Sequence, residues 1–89
     1  MPFIEKANRV EYEENGAILA EVDFPAAGDD VVDIAHTFVD NSLRGRGIAG
    51  QLMERTAALL RRDGRRAVLT CSYAKKWFAD HPDAADVLK

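Results

Sequence analysis

Between Val39 and Ala49 the chain reads Val-Asp-Asn-Ser-Leu-Arg-Gly-Arg-Gly-Ile-Ala, a segment that alternates arginine with glycine at Arg44, Gly45, Arg46 and Gly47. Glycine lets a backbone turn tightly and bring its N–H groups close to a ligand. An amphipathic pattern starts right after the loop, with Ile48, Ala49, Leu52, Met53, Ala57, Leu59 and Leu60 at near-helical spacing. A helix start adds unpaired N–H donors and the positive end of a dipole. With two guanidinium groups alongside, this chemistry suits a diphosphate. The loop is not a P-loop, because no Gly-Lys-Ser/Thr ending is present. The dinucleotide fingerprint also fails, for want of the acidic residue after a second strand.

Three further side chains could do chemistry. Cys71 is the one cysteine of the chain. As a thiolate it could accept an acyl group, and otherwise it is an inert buried thiol. His36 could remove a proton near neutral pH, or it is a packed histidine bonded to backbone. It shares strand parity with Val32, Ile34 and Phe38. Tyr73 could protonate a leaving group, or it pairs with Trp77 one helical turn on.

These residues need positioning elements. Arg9 to Glu14 and Ala17 to Phe24 alternate around Asn15-Gly16, which predicts a hairpin. Pro25 to Asp30 reads as a turn. Val31 to Val39 is the most apolar strand, predicted central because both faces carry apolar residues. A helix follows from about Arg46 to Asp63, with Gly64 as its left-handed stop. Arg66 to Thr70 is a short strand. A second helix begins near Ser72 and is stopped at His81-Pro82. The order is β-β-β-α-β-α. A strand, a crossing helix and another strand imply one parallel pair in a mostly antiparallel sheet, an α+β fold.

The totals bound the function. Eighty-nine residues make a single domain, 1–89, with a thin core. Net charge is −3, so no long-range positive field draws nucleic acid. Arg61-Arg62 and Arg65-Arg66 form one basic cluster, read as a solvated face or a phosphate contact. One cysteine and two histidines argue against a structural zinc site, and no metal is expected. The lone thiol fits a reducing cytoplasm. The N-terminal segment from Met1 lacks the pattern of a signal peptide, and no apolar run approaches a membrane span.

In this setting the sequence resembles the GNAT superfamily of N-acetyltransferases. That family's signature is Arg/Gln-x-x-Gly-x-Gly/Ala between a strand and a helix, and Arg44, Gly47 and Ala49 fall on it. The resemblance is closer to a subgroup of very short members with His-Thr-x-Val before the loop and a cysteine after the next strand. Here these are His36-Thr37-Phe38-Val39 and Cys71. The resemblance implies a minimal GNAT-like fold whose parallel strands splay. It implies that Phe38, Val39, Leu43, Arg44, Gly45, Arg46, Gly47, Ile48 and Ala49 bind acetyl-CoA. The pyrophosphate would sit on the loop and the pantetheine arm along the end of strand Val31–Val39. The thioester would lie near His36, Phe38 and Cys71, with Tyr73 as a proton donor to the departing thiolate. The implied activity is N-acetyl transfer to a primary amine, on a small molecule or a protein. The alternative is a coenzyme A-binding module without turnover. The chain departs from the family in length and in lacking the elements that usually build the acceptor pocket, so that a homodimer could complete it. Phe38 stands where the short subgroup has Glu, Asp40 where it has Pro, and Ser72 where Cys71 is usually followed by Pro.

Overall fold

The computed structural model of the chain describes residues 2–89; Met1, the first residue of the segment read as lacking a signal peptide, lies outside the described residues. Seven strands and two α-helices form two sheets packed on one main helix. The strands are β1 (Phe3–Lys6), β2 (Arg9–Glu14), β3 (Ala17–Asp23), β4 (Ala26–Gly28), β5 (Val31–Ile34), β6 (His36–Val39) and β7 (Arg66–Leu69). The helices are α1 (Ile48–Asp63) and α2 (Ser72–Asp80). Short 3₁₀ helices occupy Asn41–Leu43 and Pro82–Val87.

The hairpin forms as the dipeptide dictates. Asn15 and Gly16 both take positive φ, 52° and 80°, the requirement of a tight turn that follows the strand twist. A register shift between Tyr12 and Glu13 inserts Leu19 as an extra residue on β3. Val10 and Tyr12 of β2 then share the inner face with Ala20 and Val22 of β3. Against that face lies α1, through Leu52, Met53, Thr56, Ala57, Leu59 and Leu60. The buried Thr56 hydroxyl donates to Leu52 O at 2.8 Å, so it leaves no polar debt in the core. Trp77 and Phe78 of α2 and Ala84 and Val87 of the last turn cover the remaining side.

Two strands escaped the sequence pattern. β1 is four residues long and pairs antiparallel with β2, Phe3 opposite Tyr12, with their rings edge to face. β4 lies inside the segment read as a turn, its three residues exposed, and pairs with β5. Both are short edge strands defined by their partners rather than by their own alternation.

The predicted central strand Val31–Val39 is not one strand. It breaks at Ala35, whose N–H donates to Asp23 O at 3.0 Å. β5 sits between β4 and β7, whereas β6 pairs with β3 and ends the four-stranded sheet β1-β2-β3-β6. Alternation slips by one at the break. Val32 and Ile34 are buried, Ala35 and His36 are both exposed, and Thr37 and Val39 then turn inward. A one-residue slip moves every later side chain to the other face. The expectation of one central strand therefore holds for β5, between β4 and β7, and fails for β6, which is the edge of the other sheet. The parallel pair is β5 with β7, Val31 opposite Arg66 through Ile34 opposite Leu69.

Candidate functional site

The break at Ala35 produces a fork. Parallel pairing of β5 and β7 ends at Ile34, whose carbonyl oxygen accepts from both Thr70 N at 3.2 Å and Cys71 N at 3.0 Å. Past that point the chain enters β6 on one side and α2 on the other. Among the described residues β6 pairs with β3 alone, and no strand covers its other backbone edge. Thr37 points across the opening, with its Oγ1 at 3.4 Å from Cys71 Sγ. At the base of the fork Thr70 Oγ1 donates to Asp33 Oδ1 at 2.8 Å.

Cys71 occupies the N-cap position of α2. Partial burial pushes its thiol up. The Thr37 hydroxyl and the N–H groups of Ala74, Tyr73 and Thr37 outweigh that effect and set the thiol below its ordinary value of 9.0. Tyr73 is half-buried, and burial raises its phenol above the usual value. Its hydroxyl lies close to Gly50 in the first turn of α1, 3.9 Å from where a Cβ would stand. The fork and the start of α1 are thus adjacent.

β6 leads into the glycine loop. Asp40 accepts from Ser42 N at 2.9 Å and from Ser42 Oγ at 2.6 Å, which holds the 3₁₀ turn and keeps its own carboxyl below the usual range. Leu43 is 1% exposed and pins the turn to the core. Arg44 is exposed, with Nη2 at 3.1 Å from Asn41 Oδ1. Gly45 and Gly47 take φ of 81° and 71°, with no atom within 4 Å of a notional Cβ. Gly47 is the N-cap of α1 and offers no side-chain cap. Gln51 N reaches back to Gly47 O at 3.2 Å, so the N–H groups of Ile48, Ala49 and Gly50 precede the first intrahelical bond. No acid lies in the first turn to neutralise the dipole. Phe38 is 44% exposed on β6, beside this stretch.

The sequence-predicted residues divide into two groups. Phe38, Val39, Leu43, Arg44, Gly45, Arg46, Gly47, Ile48 and Ala49 form one continuous rim from the edge of β6 to the first turn of α1. Cys71 and Tyr73 face it across the fork. His36 does not join them. The slip at Ala35 turns it outward, opposite Asp23 on β3, and Thr37 takes the place beside Cys71. On that outer face Arg9 bridges Asp23, Glu11 and Glu21 at 2.5, 3.3 and 3.5 Å. The neighbouring Asp23 carboxylate raises the Glu21 carboxyl. The basic cluster is also remote. Arg61 and Arg62 lie in the last turn of α1, about 20 Å from its start at 1.5 Å per residue, which removes them from a shared phosphate site. Arg61 is paired with Asp86 at 2.6 and 2.8 Å.

Sequence reasoning missed Asp33, Thr37 and Thr70. Their signal was the alternation slip, which becomes visible only once Ala35 is known to break the strand. Among the described residues no three His, Cys, Asp or Glu side chains are grouped to hold a metal ion. No helix there is long and apolar enough to cross a membrane.

Comparison with known proteins bears on this geometry. Residues 9–87 match the family described as GCN5-related N-acetyl-transferase. Protein NATD1 of chicken and of mouse is 36% identical over 55 residues, 62% of this chain. That stretch covers 50% of each relative, so the match spans half their length. A GCN5-like protein of Staphylococcus aureus superposes with a TM-score of 0.79 over 98% of this chain and 86% of its own, at 22% identity, a likeness of fold. A GNAT family acetyltransferase of Brucella melitensis, solved in complex with acetyl-CoA, gives 0.63 over 78% of this chain and 50% of its own, at 26% identity.

Proposed function

We propose, because the chain belongs to the GCN5-related N-acetyltransferase family, that it moves the acetyl group of acetyl-CoA to a primary amine. The observation that carries this reading is the uncapped start of α1 beside the unpaired edge of β6. A diphosphate on the N–H groups of Gly45 and of Gly47 to Ala49 meets the positive end of the helix dipole; those of Arg44 and Arg46 are taken by Asn41 O and Leu43 O. The pantetheine amides can then pair with the free edge of β6 as an added strand. That path delivers the thioester into the fork, between Thr37 and Cys71. The Brucella neighbour's complex with acetyl-CoA supports the same donor for this chain.

The chemistry then falls to groups at the fork. An ammonium acceptor must first lose a proton, and we assign that step to the Asp33 carboxylate, which Thr70 Oγ1 holds at the base of the fork. The free amine attacks the thioester carbonyl carbon, a C–N bond forms and the C–S bond breaks. The thiolate of coenzyme A leaves and takes a proton from the Tyr73 phenol, whose raised pKa keeps it protonated until then. The second nitrogen proton returns to the tyrosinate, and Asp33 gives its proton to water. Positioning alone supplies much of the rate in such a transfer. Cys71 lines the site. A covalent acetyl-Cys71 would appear as an acetyl mass increment after exposure to acetyl-CoA.

The test is a screen of primary amines with acetyl-CoA, following release of free thiol. Turnover that falls at least tenfold in Asp33→Asn, with the KM for acetyl-CoA unchanged, supports the reading. Binding of acetyl-CoA without turnover on any amine would instead make the chain a coenzyme A-binding module. No binding at millimolar acetyl-CoA would refute both.

A further inference from the structure

Arg46 lies in the glycine loop, yet its guanidinium is engaged by the neighbouring sheet. Its Nη2 donates to Glu14 Oε2 at 2.7 Å and to Tyr12 Oη at 3.1 Å. Both partners belong to β2, 32 and 34 residues upstream. Tyr12 Oη donates in turn to Glu14 Oε2 at 2.5 Å, which closes a three-membered network. Tyr12 is 5% exposed and its ring is wedged against Phe3, so its hydroxyl has a fixed place. Glu14 closes the strand just before the Asn15-Gly16 turn. Charge follows the geometry: the Tyr12 hydroxyl and the Arg46 guanidinium hold the Glu14 carboxyl below its usual range, and Glu14 raises Arg46.

The loop needs such an anchor. Arg46 stands between two glycines at φ 81° and 71°, neither of which carries a side chain to fix the backbone. Leu43 anchors the segment before them and Ile48 the segment after, both buried. The backbone between these two points carries the donors that a diphosphate would meet.

We propose that Tyr12 and Glu14 are positioning residues of the coenzyme A loop, which hold Arg46 against β2 so that it fixes the backbone donors of Gly45 and of Gly47 to Ala49 and does not itself bind the diphosphate. This rests on the reading of the loop as an acetyl-CoA site. The pairing carries a second consequence. Glu14 is a carboxylate beside an anion site, and Arg46 neutralises it. Loss of Arg46 alone therefore does double harm, because it frees the loop and leaves a bare negative charge next to the ligand.

Acetyl-CoA affinity, measured by titration at several salt concentrations, tests the assignment. Glu14→Gln weakens binding about fivefold and Arg46→Gln about thirtyfold, with the double variant between them near tenfold. The dependence of affinity on salt stays as steep in Glu14→Gln as in the unsubstituted protein, because no ligand contact is lost. Tyr12→Phe keeps the packing against Phe3, removes only the hydroxyl, and weakens binding about twofold. Amide exchange at Gly45 to Gly47 speeds up in Glu14→Gln without ligand. The opposite outcome is equally sharp. If Arg46 is a direct ligand, Glu14→Gln releases it and tightens binding, and the double variant is as weak as Arg46→Gln. Tightened or unchanged affinity in Glu14→Gln overturns the proposal while leaving acetyl-CoA binding intact. Absence of binding by the unsubstituted protein would instead overturn the coenzyme A reading, and the proposal with it.

Discussion

The two ends of α1 use the same glycine conformation to opposite effect. Gly47 before the helix and Gly64 after it have φ of 71° and 70°. At Gly64 the backbone closes on itself. Gly64 N donates to Arg61 O at 3.4 Å and Arg65 N to Leu60 O at 2.9 Å, a Schellman motif that pairs the last carbonyls. Arg61 and Arg62 in the last turn add charge complementary to the dipole, and each has an acidic partner. At Gly47 nothing closes. The capping position has no side chain, the first turn has no acid, and three N–H groups precede the first helical bond. A left-handed glycine is therefore no marker of a binding site. What distinguishes the N-terminal end, and supports its proposed role as a site, is that its donors are left unpaired and that an open strand edge leads to it.

Substitutions at the two ends should separate these roles. Gly47→Trp puts a bulky side chain among the donors and should cost roughly a thousandfold in acetyl-CoA affinity, about 4 kcal/mol. Retained affinity, read by titration calorimetry, would break the contrast between the ends. Leu43→Ala removes the buried pin of the loop and should destabilise the fold by about 2–3 kcal/mol in urea unfolding. A loss below about 0.5 kcal/mol would mean that the loop is held elsewhere. Gly64→Ala forces a Cβ into the left-handed region and should cost about 1 kcal/mol of stability. Its acetyl-CoA affinity should match that of the unsubstituted protein. A matched loss of affinity would mean that the closed end also serves the ligand.

Much of this contrast was legible in the sequence. Gly64 follows an amphipathic run and precedes a strand, so the helix stop could be placed to the residue. Asn15-Gly16 fixed the hairpin, and the loop glycines marked the start of α1 to within two residues. These features are local, and local chemistry is what a sequence displays. The fork was not legible. Val31 to Val39 looks like one apolar strand, and only the N–H of Ala35 reaching Asp23 O shows that it divides. That bond is a tertiary event with no composition signal. It decides that Thr37 rather than His36 meets Cys71, and it brings Asp33 and Thr70 to the base of the fork. The engagement of Arg46 by β2 was hidden for the same reason, since its partners are more than thirty residues away. β1 and β4 are too short to show a period.

A third helix end extends the comparison to its smallest expected effect. α2 begins at Cys71, whose side chain makes no capping hydrogen bond but, unlike Gly47, sets a thiol beside the first N–H groups of its helix. The N–H groups of Tyr73 and Ala74 and the Thr37 hydroxyl favour the thiolate, against the opposing effect of partial burial. The net shift is downward from 9.0, so alkylation of Cys71 by iodoacetamide should show a midpoint below 9.0. Thr37→Val deletes the hydroxyl and should move that midpoint upward. The stability linkage has a definite sign. A thiol whose folded pKa is depressed contributes stability that is fully present above its unfolded pKa and is lost as pH falls through the folded value. The unsubstituted protein should therefore gain stability over a Cys71→Ser variant as pH rises through the window between the two values. A midpoint at or above 9.0, or a stability difference flat across that window, would show that the thiol does not cap α2 as an anion. The starts of α1 and α2 would then both lack an anionic group of the chain's own.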